Sequence, residues 1–211
     1  KEMGVVLVDI GEGTTDIAIF IEGTVWYTRT LSMGGEYITN DIAIGLRLPP
    51  ETAEEVKLRY GHAMMAQVAE DERFTISPYG ESAPVVVPRW KLAQIVMARS
   101  EEILENVQQE IKRSGYDGLL PAGLVLCGGT ALLPGFRDLA RDIFDLPVQI
   151  GVPQGLGGLA DKVASPASAV GVGLLKWTPM WEDVGGASAW KSSRASWWKR
   201  LGSWLRALMP G

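Results

Sequence analysis

Asp9-Ile10-Gly11-Glu12-Gly13-Thr14-Thr15-Asp16 is the stretch on which the reading of the fold turns. The apolar run Gly4-Val5-Val6-Leu7-Val8 leads into it, and Ile17-Ala18-Ile19-Phe20-Ile21 leads out. Both runs are short, rich in β-branched residues and bounded by turn residues, which predicts two buried strands with the octet at the tip of a hairpin. Two glycines and two threonines at such a tip offer backbone N–H groups and hydroxyls to a phosphate. The flanking carboxylates would repel a bare phosphate and make best sense with a divalent cation between them. Taken alone, the octet is equally compatible with an ordinary polar turn, because short glycine-rich matches are common.

Working outward, Glu22-Gly23 predicts a tight turn into a third strand, Val25–Leu31, completing an antiparallel meander. Gly34-Gly35 breaks the pattern. Ile38, Ile42, Ala43 and Leu46 then recur at helical spacing from Glu36 to Leu46, and Pro49-Pro50 stops that helix. A second helix runs from Glu51 to Tyr60 with acidic residues in its first turn, as the macrodipole prefers. Phe74–Ile76 and Val85–Val87 predict a small hairpin around Pro78-Tyr79-Gly80. Trp90–Lys112 is the longest helical stretch, with Leu92, Ile95, Val96, Ile103, Leu104, Val107 and Ile111 on one stripe. Glu101, Glu102, Glu105, Glu110 and Arg113 are expected on its solvated face. A strand at Leu124–Cys127 then meets the pair Gly128-Gly129, followed by a helix Phe136–Phe144 and a strand Leu146–Ile150. Ser165–Leu175 reads as a tightly packed helix, Ser165 at the N-cap and Pro166 at N1.

The chain has 211 residues, 46% hydrophobic and 21% charged, enough for one domain with a core and a tail. Its net charge of −5 argues against a general nucleic-acid binder. That charge is uneven. Residues 1–177 carry 15 Lys+Arg against 23 Asp+Glu, and residues 178–211 carry 5 against 2, so an acidic body precedes a basic tail. The lone cysteine, Cys127, cannot build a disulfide framework and reads as a buried strand residue in a protein of a reducing compartment. The only histidine, His62, has no metal or triad spacing around it and reads as a packing or surface residue. The entry straight into a strand after Lys1 leads us to expect that an N-terminal part of a longer protein precedes it.

Beyond the flexible composition Gly185-Gly186-Ala187-Ser188-Ala189, the residues Trp197, Trp198, Leu201, Trp204, Leu205, Leu208 and Met209 form one helical stripe. Arg194, Lys199, Arg200, Ser203 and Arg206 take the opposite side. An aromatic apolar face opposed by cations suits the interface of an anionic membrane, lying on it rather than spanning it. A helix docking on its own domain or on another protein's helix is the alternative.

The two glycine-bearing strand ends, Gly11–Thr15 and Gly128–Thr130, are expected to line one cleft, the first toward phosphates and the second toward a base or ribose. At this point the chain resembles a known superfamily. The octet is similar to the second phosphate motif of the actin, sugar-kinase and chaperone ATPases, and Leu126–Gly135 to their adenosine motif. Within it, Met33–Ala43 and Ala53–Gly61, together with the tail, resemble the FtsA family of actin-like bacterial cell-division proteins. The resemblance covers about Val5 to Lys176. It implies an α/β fold, half of an actin-like (ribonuclease H-like) ATPase. That half is a mixed sheet with flanking helices, a small α+β side subdomain and a C-terminal amphipathic helix. In family terms residues 1–49 and 98–177 would be subdomain IIA, 50–97 subdomain IIB, 178–193 a linker and 194–209 the membrane-targeting helix.

The resemblance further implies ATP and Mg²⁺ as cofactors. Gly11, Glu12, Gly13, Thr14 and Thr15 would hold phosphates, and Asp9 would act on Mg²⁺ through water. Glu54, Lys57, Gly128, Gly129 and Thr130 would meet the nucleoside. Glu12 and Thr130 stand where relatives usually have glycine, and the first phosphate motif and first connecting helix have no counterpart here. The expected function is an ATP-binding filament former that tethers the FtsZ ring to the cytoplasmic face of the cell membrane at the division site. At most it would be a weak ATPase as a whole protein, with this half inactive. Its expected partners are the C-terminal peptide of FtsZ on subdomain IIB, other copies of itself and the anionic membrane surface, with no nucleic acid. Arg59, Arg89, Lys91 and Arg99 are the candidate contacts for an acidic peptide. A sugar-kinase-like phosphotransferase half and a pilus-assembly actin homologue are the alternatives.

Overall fold

The computed structural model describes residues 4–155 and 163–183. The described residues divide into two units between Ala169 and Val170, and the second is described only by the helix that runs to Asp183. The linker at Gly185–Ala189 and the tail residues Trp197, Trp198, Leu201, Trp204, Leu205 and Leu208 lie outside the described residues.

The first unit is organised on a five-stranded mixed sheet in the order β3-β2-β1-β6-β7. Strands β1 (Val5–Ile10), β2 (Thr15–Ile21) and β3 (Thr24–Leu31) form the expected antiparallel meander. Glu22 and Gly23 both have positive φ, 51° and 74°, the geometry of a hairpin turn that matches the strand twist. Strands β6 (Leu124–Cys127) and β7 (Val148–Ile150) extend the sheet in parallel from β1. Strand β7 is shorter than the expected Leu146–Ile150, since Pro147 has no N–H to pair and lends only its carbonyl, to Leu124 N–H at 2.8 Å. Val6, Val8, Ile10, Ile17, Ile19, Leu124 and Leu126 are buried at alternate positions of these strands.

Helix α1 (Gly35–Leu46) adds Ile38 and Ile42 to the core, and α3 (Arg89–Ser114) adds Leu92, Val96, Ile103, Leu104 and Val107. Between them lie α2 (Pro50–Tyr60) and the hairpin of β4 (Arg73–Ile76) with β5 (Val85–Pro88), where Phe74 stacks on Tyr60 at 4.8 Å. Helix α4 (Phe136–Phe144) matches its expected bounds. Glu110 overturns one expectation: it is buried, not solvated. It follows Val107 by three residues and Ile103 by seven, which places it on the apolar stripe. Ser165 and Pro166 open a single 3₁₀ turn, Pro166–Ser168, before the last described helix, Ala169–Asp183. That helix runs past Leu175 into the stretch expected to begin the linker. Among the described residues, no helix is long and apolar enough to cross a membrane.

Candidate functional site

Strands β1 and β6 are parallel neighbours with Asp9 opposite Cys127, so both end at the same edge of the sheet. From β1 the chain turns through Gly11–Thr14, closed by Gly11 N–H donating to Thr14 O at 2.9 Å. From β6 it turns at Gly128, whose φ is +86°. A Cβ there would fall 2.2 Å from the Ile10 carbonyl oxygen, so only glycine lets the two strand ends pack this closely. Gly129 differs, because a Cβ on it would meet nothing within 4 Å.

The octet is docked onto the start of α1. Gly35 N–H donates to Gly11 O at 2.9 Å and Glu36 N–H to Glu12 O at 2.8 Å, so N–H groups that a helix start leaves unpaired are used to hold the turn. The close approach depends on Gly34, where a Cβ would sit 2.4 Å from Glu12 O. Gly34-Gly35, read from the sequence as a break and as part of the family resemblance, is thus part of the site's frame.

A cavity of about 450 Å³ opens against these turns, within the range of small-molecule pockets. One wall is Gly11, Glu12 and Gly35; another is Gly129 and Thr130; Glu54 and Lys57 supply its charged side. Ile38, Leu58, Leu132, Leu133 and Pro134 make the remaining surface apolar. The structure therefore brings together Gly11, Glu12, Glu54, Lys57, Gly129 and Thr130. Leu132, Leu133 and Pro134 belong to the glycine-bearing stretch Leu126–Gly135, and the structure adds them to it as an apolar wall. Ile38 reads from the sequence as a core position on the apolar stripe of α1, and Leu58 sits beside Lys57 in α2 with no pattern of its own, so neither announces a cavity wall.

Lys57 is fully engaged. Its Nζ donates to Glu54 Oε2 at 2.6 Å, Thr39 Oγ1 at 2.8 Å and Gly35 O at 3.1 Å. Thr39 in turn donates to Glu54 Oε2 at 2.5 Å. Thr39, buried in α1, is a member of this network that the sequence reading passed over. Glu12 also borders an acidic recess that contains Glu36, Glu51 and Glu54.

The other expected residues stand apart from the cavity lining. Thr14 is exposed at the tip, 3.4 Å from Asp16 Oδ2. Gly13 is exposed beside it. Thr15 is fully buried and donates to Met33 O at 2.8 Å, so its side chain anchors the turn from beneath. Asp9 sits at the end of β1 and accepts from Cys127 Sγ at 3.3 Å. Burial, and then the Asp9 charge, push the Cys127 thiol up to about 12, so it is a protonated, inert neighbour. Among the described residues, no group of three His, Cys, Asp or Glu side chains is placed to hold a metal ion. His62 lies against Gly135, its Nδ1 accepting from Met64 N–H at 3.0 Å. Burial, and then the charge of Arg89, hold it below the ordinary histidine range.

The four cations expected to greet an acidic peptide are not equivalent. Arg99 grips Asp41 through Nε at 2.6 Å and Nη2 at 3.0 Å, and also pairs with Glu102. Arg89 pairs with Glu72 at 2.5 Å and donates to Tyr60 O at 2.8 Å. Arg59 lies over the Tyr60 ring and Lys91 over Trp90, and both are exposed.

The model of the family described as cell division protein FtsA matches residues 6–173. Cell division protein FtsA of Pseudomonas aeruginosa is 46% identical over 177 residues, covering 84% of this chain and 42% of that protein. The Escherichia coli K12 protein of the same description is 36% identical over 216 residues, covering 98% of this chain and 51% of that one. The chain thus spans about half the length of the curated relatives it matches. A crystal structure of MreB5 of Spiroplasma citri bound to AMPPNP superimposes with a TM-score of 0.64 at 20% identity, covering 88% of this chain and 56% of the other. That likeness carries the actin-like fold alone. Matched by the family model over most of its length, the chain belongs to the FtsA family of actin-like cell division proteins.

Proposed function

We propose that the cavity is the half of an ATP site contributed by this part of an FtsA protein. The observation that carries the reading is that both glycine-bearing strand ends and the Lys57–Glu54 pair open onto one cavity with an apolar far wall. The residues fit the group. Gly129 leaves open space where any other residue would place a Cβ, as a flat nucleoside requires. The exposed tip Glu12-Gly13-Thr14 presents backbone amides and a hydroxyl, and the glycines allow a phosphate to come close. Glu54, held in place by Lys57, would orient ribose hydroxyls, while Leu58, Leu132 and Leu133 would cover the base.

Glu12 and Glu54 against Lys57 leave the lining with an excess of negative charge. A bare polyphosphate is therefore disfavoured here, and a divalent cation such as Mg²⁺ would supply the missing positive charge. Asp9, at the end of β1, is the carboxylate that the family resemblance assigns to that cation, acting through water. MreB5, a protein of the same fold, is bound to AMPPNP in its crystal structure.

In the whole protein we propose self-association into filaments and recruitment of FtsZ to the membrane at the division site. Of the four candidate cations, Arg59 and Lys91 are the two without an ion pair among the described residues, and exposed Tyr79 and Val86 lie on or beside the β4–β5 hairpin. These residues are our candidates for an acidic, partly apolar FtsZ tail. The stripe Trp197–Leu208 would anchor the assembly to anionic lipid. Co-sedimentation with anionic vesicles, with and without residues 190–211, tests the tether, and binding is expected to vanish with the deletion. Unchanged binding would remove the membrane role. Trp204→Glu is expected to weaken vesicle binding far more than Ser203→Glu, and equal losses would mean that net charge rather than insertion is responsible.

A further inference from the structure

We propose that Thr130 is a positioning residue, whose hydroxyl couples the nucleoside side of the cleft to its phosphate side. The proposal rests on the nucleotide reading above. Thr130 opens a 3₁₀ turn that closes through backbone bonds, Leu132 N–H to Gly129 O at 3.2 Å and Leu133 N–H to Thr130 O at 3.1 Å. The turn therefore has no need of the side chain. The hydroxyl instead crosses to the neighbouring strand end and donates to Gly11 O at 3.0 Å.

That carbonyl is a meeting point. It also accepts Gly35 N–H at 2.9 Å, and Gly35 O accepts Lys57 Nζ at 3.1 Å. Gly35 is packed so closely that a Cβ on it would lie 2.6 Å from Thr130 Oγ1. The phosphate-side turn, the nucleoside-side loop and the lysine thus form one hydrogen-bonded frame, and Thr130 is the side chain that joins the first two. Phosphates and nucleoside belong to one ligand, so a fixed spacing between their two binding loops lowers the cost of engaging both at once. A ligand that touches only the nucleoside loop gains nothing from that spacing.

Substitution separates the roles. Thr130→Val replaces the hydroxyl by a methyl of the same size, and Gly11 O keeps the Gly35 donor, so the fold survives. Thr130→Ser keeps the hydroxyl. The experiment is an amide NMR titration of the full chain and both variants with Mg-ATP and with adenosine, which detects millimolar binding. In the valine variant, Mg-ATP affinity is expected to fall about five-fold more than adenosine affinity does, the factor of one net hydrogen bond, because any direct nucleoside contact of Thr130 is lost to both ligands alike. Exchange of the Gly35 and Glu36 amides should also quicken, and the serine variant should restore both readouts. Equal losses for Mg-ATP and adenosine, or none for either, would overturn the coupling role. A parent chain that responds to neither ligand would overturn the nucleotide reading itself, and would do so before any variant is compared.

Discussion

The cleft edge of the sheet and its β3–α1–α3 flank are held together by different means. At the cleft, backbone meets backbone: Gly34 against Glu12 O, Gly128 against Ile10 O, and two α1 amides on two turn carbonyls. On the flank, side chains bridge long stretches of chain. Arg99 of α3 grips Asp41 of α1, and Glu110 of α3 receives the Tyr27 hydroxyl of β3 at 3.2 Å, with Arg113 at 2.5 Å and Arg29 at 3.8 Å. The first construction leaves no room for added atoms and leaves open space for a ligand. The second tolerates small changes because water can replace part of what is lost.

The sharpest way to break this contrast is a pair of adjacent substitutions. Gly128→Ala forces an L residue into φ +86° and drives a methyl onto a backbone oxygen that has nowhere to move, so a loss of roughly 4 kcal/mol or more is expected. Gly129→Ala, one residue on, meets nothing within 4 Å and should leave stability within about 0.5 kcal/mol, while narrowing the cavity. Urea denaturation of both variants checks this. Comparable stabilities would mean that the cleft edge relaxes as readily as the flank.

Glu110 is the next largest effect. Its side chain is only 8% exposed, but the partners Arg29 and Arg113 are 56% and 69% exposed and would return to water once it is gone. The cost of Glu110→Ala is therefore set by the lost hydrogen bonds and the cavity, about 2 kcal/mol, below the figure for stranding a buried charge. Glu110→Gln keeps the shape and a carbonyl for Tyr27, and should cost about half as much. A loss of about 4 kcal/mol in the alanine variant would show that the arginines are trapped rather than free to solvate.

The same contrast explains what could be read from the chain alone. Glycines that shape the cleft announce themselves by position, at the ends of β-branched runs, so the meander, both turns and most helix bounds were legible. Lys57 and Glu54 were legible through resemblance, but not the Thr39 hydroxyl between them, because a threonine inside a helix carries no signal of its own. Thr15, Ile17 and Ile19 all face inward along β2, so strand alternation carried back to the turn marks the Thr15 side chain as the anchor of the tip, which its residue type alone does not reveal. Residue type puts Glu110 in water, whereas its spacing of three from Val107 puts it on the buried stripe of α3. The Arg99–Asp41 and Tyr27–Glu110 contacts join residues 58 and 83 apart, and no local pattern encodes such pairs.

Arg99→Lys probes the flank more gently. Arginine presents two donors to Asp41 in a fixed fork and lies over the Tyr37 ring, 5.7 Å from its centroid. Lysine keeps the charge but offers a point contact, so a loss of about 1 kcal/mol is expected, with the cleft unchanged. Thermal melting gives the first quantity, and amide shifts of Gly11, Gly35 and Gly129 give the second. Shifts at those glycines as large as those beside Asp41 would show that flank and cleft are not independent.

The smallest effect lies in pH. His62 is held below its ordinary range by burial and by Arg89, so the folded chain binds its proton less readily than the unfolded chain does. Its contribution to stability is therefore complete above the unfolded value, near 6.5, and is lost as pH falls through the folded one. Glu72 is also depressed, by its hydrogen bond from Arg89, but from 4.5 downward, so its loss falls in a more acidic window and does not overlap. Urea midpoints measured between pH 7.5 and 5.5 should decline in the parent chain and flatten in His62→Gln. Both sites share Arg89, which joins the loop after α2 to the start of α3. If the parent midpoint is flat over that interval, His62 is fully solvated, and the loop that carries Gly135 and presents Pro134 to the cavity is looser than the cleft frame it adjoins.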